Sequence, residues 1–134
     1  MTRDAQASRW TEGLIGNHAF VHLELTTDEP NSAREFYGEL FAWSFEEMDM
    51  GEAGSYFMVK PGDGPDGGIT GRQMPEQPTA WMPYVQVEDI GATIAKSESL
   101  GGQTVLPATP IPGMGTLAVL RDPTGATLGI WRPA

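Results

Sequence analysis

From Phe20 the chain alternates between apolar and polar positions, with Val21, Leu23 and Leu25 on one side and His22, Glu24 and Thr26 on the other. That period predicts a strand with one buried face. The period then changes. Asp28 is the expected N-cap, Pro30 suits a first helical turn, and Ala33, Phe36, Tyr37, Leu40 and Phe41 recur at helical spacing, which predicts an amphipathic helix. Three short strands are then expected at Trp43 to Met50, Ser55 to Lys60 and Gly68 to Gly71, split by Gly51, Gly54 and the Gly/Pro-rich stretch 61–67. The first half therefore reads β-α-β-β-β.

The same order returns. Trp81 to Val87 alternates, with Val85 and Val87 on one face and Met82, Tyr84 and Gln86 on the other. Asp89 caps a second helix carrying Ile90, Ile94, Ala95 and Leu100, and Gly101-Gly102 stops it. Strands follow at Gln103 to Ala108, Thr116 to Arg121 and Thr127 to Arg132, separated by a loop around Met114 and by the turn Asp122-Pro123-Thr124-Gly125. The organisation expected is one domain over 1–134: an arm over 1–17, a first module over 18–72, a linker over 73–80 and a second module over 81–134. One helix covers only one face of each small sheet. Concave pairing of the two sheets into a cup is the economical way to cover the other, so the fold class is α+β with two βαβββ modules.

The chain has 134 residues with 17 Gly and 11 Pro, which disfavours a helical bundle. Its net charge of −10 repels a phosphate backbone or an anionic bilayer, so neither nucleic acid nor membrane is an expected partner. Glu24, Asp28, Glu29, Glu35, Glu39, Glu46, Glu47, Asp49 and Glu52 fall in one window where Arg34 is the sole base, which reads either as a solvated acidic face or as a surface that attracts a cationic ligand. With no Cys there are no disulfides, thiolate metal sites or cysteine nucleophiles. No apolar signal core or membrane-length run occurs, so a cytoplasmic protein is expected.

Four segments carry a resemblance to the vicinal oxygen chelate superfamily, the glyoxalase, bleomycin-resistance and extradiol-dioxygenase group. They are Phe36-Tyr37-Gly38-Glu39-Leu40-Phe41-Ala42-Trp43, Tyr84-Val85-Gln86-Val87-Glu88-Asp89, Leu100-Gly101-Gly102 and Leu120-Arg121-Asp122-Pro123-Thr124-Gly125. The resemblance spans Phe20 to Pro133 and implies paired βαβββ modules whose curved mixed sheets form a cup, commonly within a dimer. It also implies metal ligands at four inward positions. His22 matches the first. The other three fall on Gly68-Ile69-Thr70-Gly71, which has no carboxylate or imidazole, on Met82 and on Gly129, so no metal and no other cofactor is expected.

The candidate ligand-binding residues are His22, Glu24, Met82, Tyr84, Gln86 and Trp131, with Thr26 on the same face of the first strand. His22 and Glu24 are the candidate acid-base pair, because imidazole titrates near neutral pH and a nearby carboxylate can orient and charge it. Tyr84 and Trp131 suit a small-molecule wall or a subunit interface. Two function classes follow. One is a protein of the bleomycin-resistance kind that binds a small, cationic or aromatic compound without a metal. The other is a lyase, isomerase or cyclase using His22 and Glu24, with a metal-dependent glyoxalase or dioxygenase behind it. Uncovered sheet edges and apolar surface make a homodimer the expected assembly.

Overall fold

In a computed structural model that describes residues 18–72, 75 and 77–134, the expected order appears twice. The elements are β1 (Phe20–Thr26), α1 (Pro30–Phe41), β2 (Glu46–Asp49), β3 (Ser55–Val59), β4 (Asp66–Thr70), β5 (Ala80–Gln86), α2 (Ile90–Ser99), β6 (Gln103–Ile111), β7 (Gly115–Arg121) and β8 (Thr127–Pro133). A single 3-10 turn spans Gly51–Ala53. The fold is mixed α+β. Two compact units divide it, one of Val21–Tyr84 and one of Val85–Ala134 with residues 18–20.

In the first unit the strands run in the order β2-β3-β4-β1. β1 and β4 are parallel, with Glu24 opposite Gly68, while β2–β3 and β3–β4 are antiparallel. Leu25, Phe57 and Ile69 form the core, and Ala33 and Tyr37 of α1 pack on it together with Phe45. Arg34 lays its guanidinium 4.9 Å from the centre of the Phe57 ring, so its flat cation covers the core rather than facing a ligand.

The start of α1 departs from expectation. Its N-cap is Glu29, with no side-chain bond to the helix, and Pro30 opens the first turn. Asp28 does not cap, because its carboxylate is held by Arg72, with Nε and Nη2 each 2.9 Å from a carboxylate oxygen. A two-pronged guanidinium contact competes successfully for an acid that would otherwise accept from the backbone. The apolar stripe is also wider than the surface beneath it. No residue of α1 is fully buried, and Phe36, Leu40 and Phe41 remain 60%, 56% and 53% exposed.

In the second unit β8-β7-β6 form an antiparallel meander, and Val87, Ile90, Ala118 and Ile130 make a separate core with Ile94 and Leu120 against it. Asp89 caps α2 as expected, accepting from the Ala92 backbone N–H at 2.9 Å. β6 runs on to Ile111 through two register shifts on either side of Leu106, the second of which contains Pro107, a residue with no N–H to give a ladder. What reads as a loop around Met114 is therefore a tight hairpin turn, closed by Met114 N–H donating to Ile111 at 2.9 Å. Asp122 accepts from the Thr124 N–H and hydroxyl and the Ala126 N–H, and the Thr124 hydroxyl above all holds its carboxyl below the usual carboxylate range.

Ala42 closes α1 at φ 56° and ψ 30°, and among the described residues it is the non-glycine with positive φ. Its Cβ crowds the backbone there, at a cost on the order of 1 kcal/mol. Ala42→Gly is therefore expected to stabilise the chain by about 0.5–1 kcal/mol, read as a higher urea midpoint with an unchanged slope. An unchanged or lower midpoint would contradict this account of the helix end.

Candidate functional site

Alternation along β1 decides which of its side chains can do chemistry. Leu25 enters the core below α1, so His22 and Glu24 project from the opposite face of the first unit's sheet. The parallel register sets Asp66 opposite His22, Gly68 opposite Glu24 and Thr70 opposite Thr26. On β3, Tyr56 pairs with Thr70 and Met58 with Gly68, so Tyr56 stands on the face that carries Glu24.

Gly68 is what lets Tyr56 reach the pair. A Cβ built at Gly68 would fall on the Tyr56 hydroxyl, so the phenol occupies space that any other residue would fill. The ring crosses that gap diagonally. Its Oη lies 2.9 Å from His22 Nε2 and donates to Glu24 Oε1, also at 2.9 Å. His22 Nε2 and Glu24 Oε1 are themselves 3.3 Å apart. Tyr84 approaches the other carboxylate oxygen at 3.5 Å, and its ring meets His22 edge-on with centroids 5.6 Å apart.

Burial and charge act in the same direction on both phenols. Desolvation first, then the Glu24 charge and the hydrogen bond to it, raises the pKa of Tyr56 and Tyr84 far above the ordinary value of 10.0. Asp66 adds a further negative field at Tyr56. Both phenols are therefore fixed donors at any physiological pH. His22 and Glu24 keep 22% and 17% of their side-chain surface exposed, so a small molecule can reach them.

Of the residues singled out from the sequence, His22, Glu24 and Tyr84 come together. Thr26 is buried beyond Glu24 on β1, and Met82 is half-buried on β5 and adds no polar group. Gln86 and Trp131 belong to the second unit, where Gln86 O lies 3.2 Å from His18 Nδ1 and Trp131 O accepts from Val87 N–H. Arg121 is also there, with its guanidinium 3.5 Å from Gln103. Tyr56 went unrecognised. The alternation Tyr56-Phe57-Met58-Val59 beside Gly67-Gly68 carries the signal, but only once the register places the glycine under the ring.

The donor set does not fit the metal that the superfamily resemblance implies. His22 Nε2 and Glu24 Oε1 are both engaged by Tyr56, and the residue facing Glu24 across the ladder is Gly68. Among the described residues no group of three or more His, Asp or Glu side chains is placed to hold an ion. Also among the described residues, no helix is long and apolar enough to cross a membrane. A concavity in this unit, about 270 Å³, is lined by Leu23, Tyr37, Phe41, Trp43, Val59 and Trp81 among others, with Trp81 Nε1 donating to the Tyr37 hydroxyl at 3.1 Å.

A family model described as a glyoxalase-like domain matches residues 20–130. The chain belongs to the glyoxalase-like family. It thus falls within the vicinal oxygen chelate superfamily. The glyoxalase-like chain is 37% identical over 131 residues to "Putative glyoxylase CFP32" of Mycobacterium tuberculosis, covering 96% of this chain and 50% of that protein. It is 25% identical over 128 residues to "Anthracycline biosynthesis protein DnrV" of Streptomyces peucetius, covering 82% of this chain and 45% of that protein. The chain thus spans about half the length of these curated relatives. Methylmalonyl-CoA epimerase from Mycobacterium tuberculosis superposes with a TM-score of 0.66 over 90% of this chain and 91% of its own, at 14% identity, which shows a shared fold.

Two outcomes follow from this geometry. Gly68→Ala displaces the Tyr56 ring and is expected to destabilise the chain by about 1–3 kcal/mol in urea unfolding; a neutral result would mean that the phenol does not occupy the gap. The unfolded chain releases both phenolic protons near pH 10, whereas the folded chain keeps them, so stability falls as pH rises past about 10. In a spectrophotometric titration, two of the three tyrosines should ionise only as the protein unfolds. Normal ionisation of all three in the folded state would contradict the burial argument.

Proposed function

We propose that the His22, Glu24, Tyr56 and Tyr84 face binds a small organic molecule without net negative charge and moves a proton to or from it. His22 is the acid-base group and Glu24 the charge that holds it. The observation that carries this reading is the Tyr56 hydroxyl, 2.9 Å from both partners, which joins a reachable imidazole to a carboxylate through an un-ionised phenol. No metal enters the reading. The charge preference follows from the cations of the unit: Arg34 lies over Phe57, Arg72 is paired with Asp28, and Lys60 is exposed beyond the end of β3. Against them, Glu24 and Asp66 make the face negative. The rings of Tyr56, Tyr84 and His22 supply an aromatic wall. Chemistry of the epimerase kind, for which a structurally similar protein is named, belongs to this class of proton transfer.

A thermal-shift screen against a metabolite library, with product analysis of each hit, tests the reading. A hit is expected to be consumed, and His22→Ala or Glu24→Gln should slow turnover by roughly 10²–10⁴-fold. A hit that stabilises the protein and is recovered unchanged would assign the face to sequestration instead. Turnover that survives both substitutions would remove the pair from the chemistry.

The exposed Phe36, Leu40 and Phe41 of α1 support a second proposal, that the chain pairs with another copy of itself in the cytoplasm. Light scattering at micromolar concentration should give twice the 14.5 kDa chain mass, and Phe41→Glu should shift it toward the monomer. A monomer mass for the unaltered chain would exclude the pairing.

A further inference from the structure

Three atoms stand in a closed triangle: Tyr56 Oη and His22 Nε2 at 2.9 Å, Tyr56 Oη and Glu24 Oε1 at 2.9 Å, and His22 Nε2 and Glu24 Oε1 at 3.3 Å. Few protons are available to fill it. The carboxylate brings none and the phenol brings one, so a second must come from the imidazole. With the imidazole proton on Nδ1, Nε2 and Oε1 would face each other as two lone pairs and compete for the single phenolic proton. With the proton on Nε2, the two shorter contacts gain a direction: Nε2–H donates to Oη, and Oη–H donates to Oε1. Tyr84 serves the remaining oxygen, Oε2, at 3.5 Å. Asp66 stands opposite His22 across the ladder and does not enter the triangle.

We infer that Tyr56 is a positioning residue that holds His22 as the Nε2–H tautomer, leaving Nδ1 as the nitrogen that accepts a proton from the ligand. The inference deepens the proton-transfer reading above and rests on it for the ligand's part. In the step that follows, a C–H, N–H or O–H bond of the ligand breaks and an Nδ1–H bond forms. The Nε2 proton passes to Oη as the phenolic proton passes to Glu24 Oε1. The imidazole ends neutral with its proton on Nδ1, the phenol is restored, the carboxylate becomes an acid, and the ligand carries the negative charge that Glu24 gave up. Reversal returns the proton to the ligand. Gly68 is part of the device, since the phenol reaches both partners through the space it leaves.

The test reads the tautomer directly and needs no ligand. In ¹⁵N-labelled protein held at about pH 8, where an ordinary imidazole is neutral, two-bond ¹H–¹⁵N correlation spectra distinguish protonated from unprotonated ring nitrogens. There are two histidines, so His18→Asn assigns the signals. His22 is expected with Nε2 protonated and Nδ1 bare, and Tyr56→Phe should shift it to a mixture of both tautomers. Protonation at Nδ1 in the unaltered chain would overturn the inference, as would a tautomer that Tyr56→Phe leaves unchanged. If Tyr56→Phe does not fold, the unaltered chain alone decides. Failure here leaves the turnover screen standing, whereas the expected tautomer with no compound consumed would overturn the functional reading instead.

Discussion

The parallel pairing of β1 with β4 is the constraint on which the first unit depends. It sets Glu24 beside Gly68 and His22 beside Asp66, and it turns Leu25 inward toward Ile69 and Phe57. A slip of one residue would exchange the faces, placing the imidazole and carboxylate under α1 and Leu25 in water. The apolar core therefore pins the register, and the register places the polar cluster. Core packing and site geometry are two faces of one strand pair.

Within that frame the cluster behaves as a single electrostatic object. Glu24 is the charge to which both phenols donate, and burial keeps those phenols from ionising. An isolated carboxylate facing a sheet would carry a desolvation cost; here two hydroxyls and an imidazole surround it. The outward-facing acids of the same half are of another kind. Asp28 is held by Arg72 at an exposed position, where salt and solvent weaken the attraction.

Much of this was legible in the residues. Strict alternation at 20–26 marked β1 and its chemical face, Asp89 and Gly101-Gly102 bracketed α2, and the repeated β-α-β-β-β order carried the fold. His22, Glu24 and Tyr84, candidates from the sequence, stand together in the structure. What escaped depends on pairing rather than on local pattern. Tyr56 became visible only when β3, β4 and β1 were laid side by side, because its reach is diagonal and passes over a glycine. Asp28 looked like a cap because no local signal announced Arg72, 44 residues away. Helical spacing in α1 indicated an apolar stripe but not how much of it the four-stranded surface beneath could cover.

That same separation of 44 residues governs when the cluster can exist. A hairpin closes its own short loop, but a parallel partner must be brought back across the intervening helix and two strands, and the entropy of closing that loop is lost before any contact repays it. His22 and Glu24 emerge early from a ribosome yet have no neighbours until β4 follows. No local fragment of the chain assembles the triangle, so its chemistry belongs to the completed unit and vanishes with the first opening of the β1–β4 ladder.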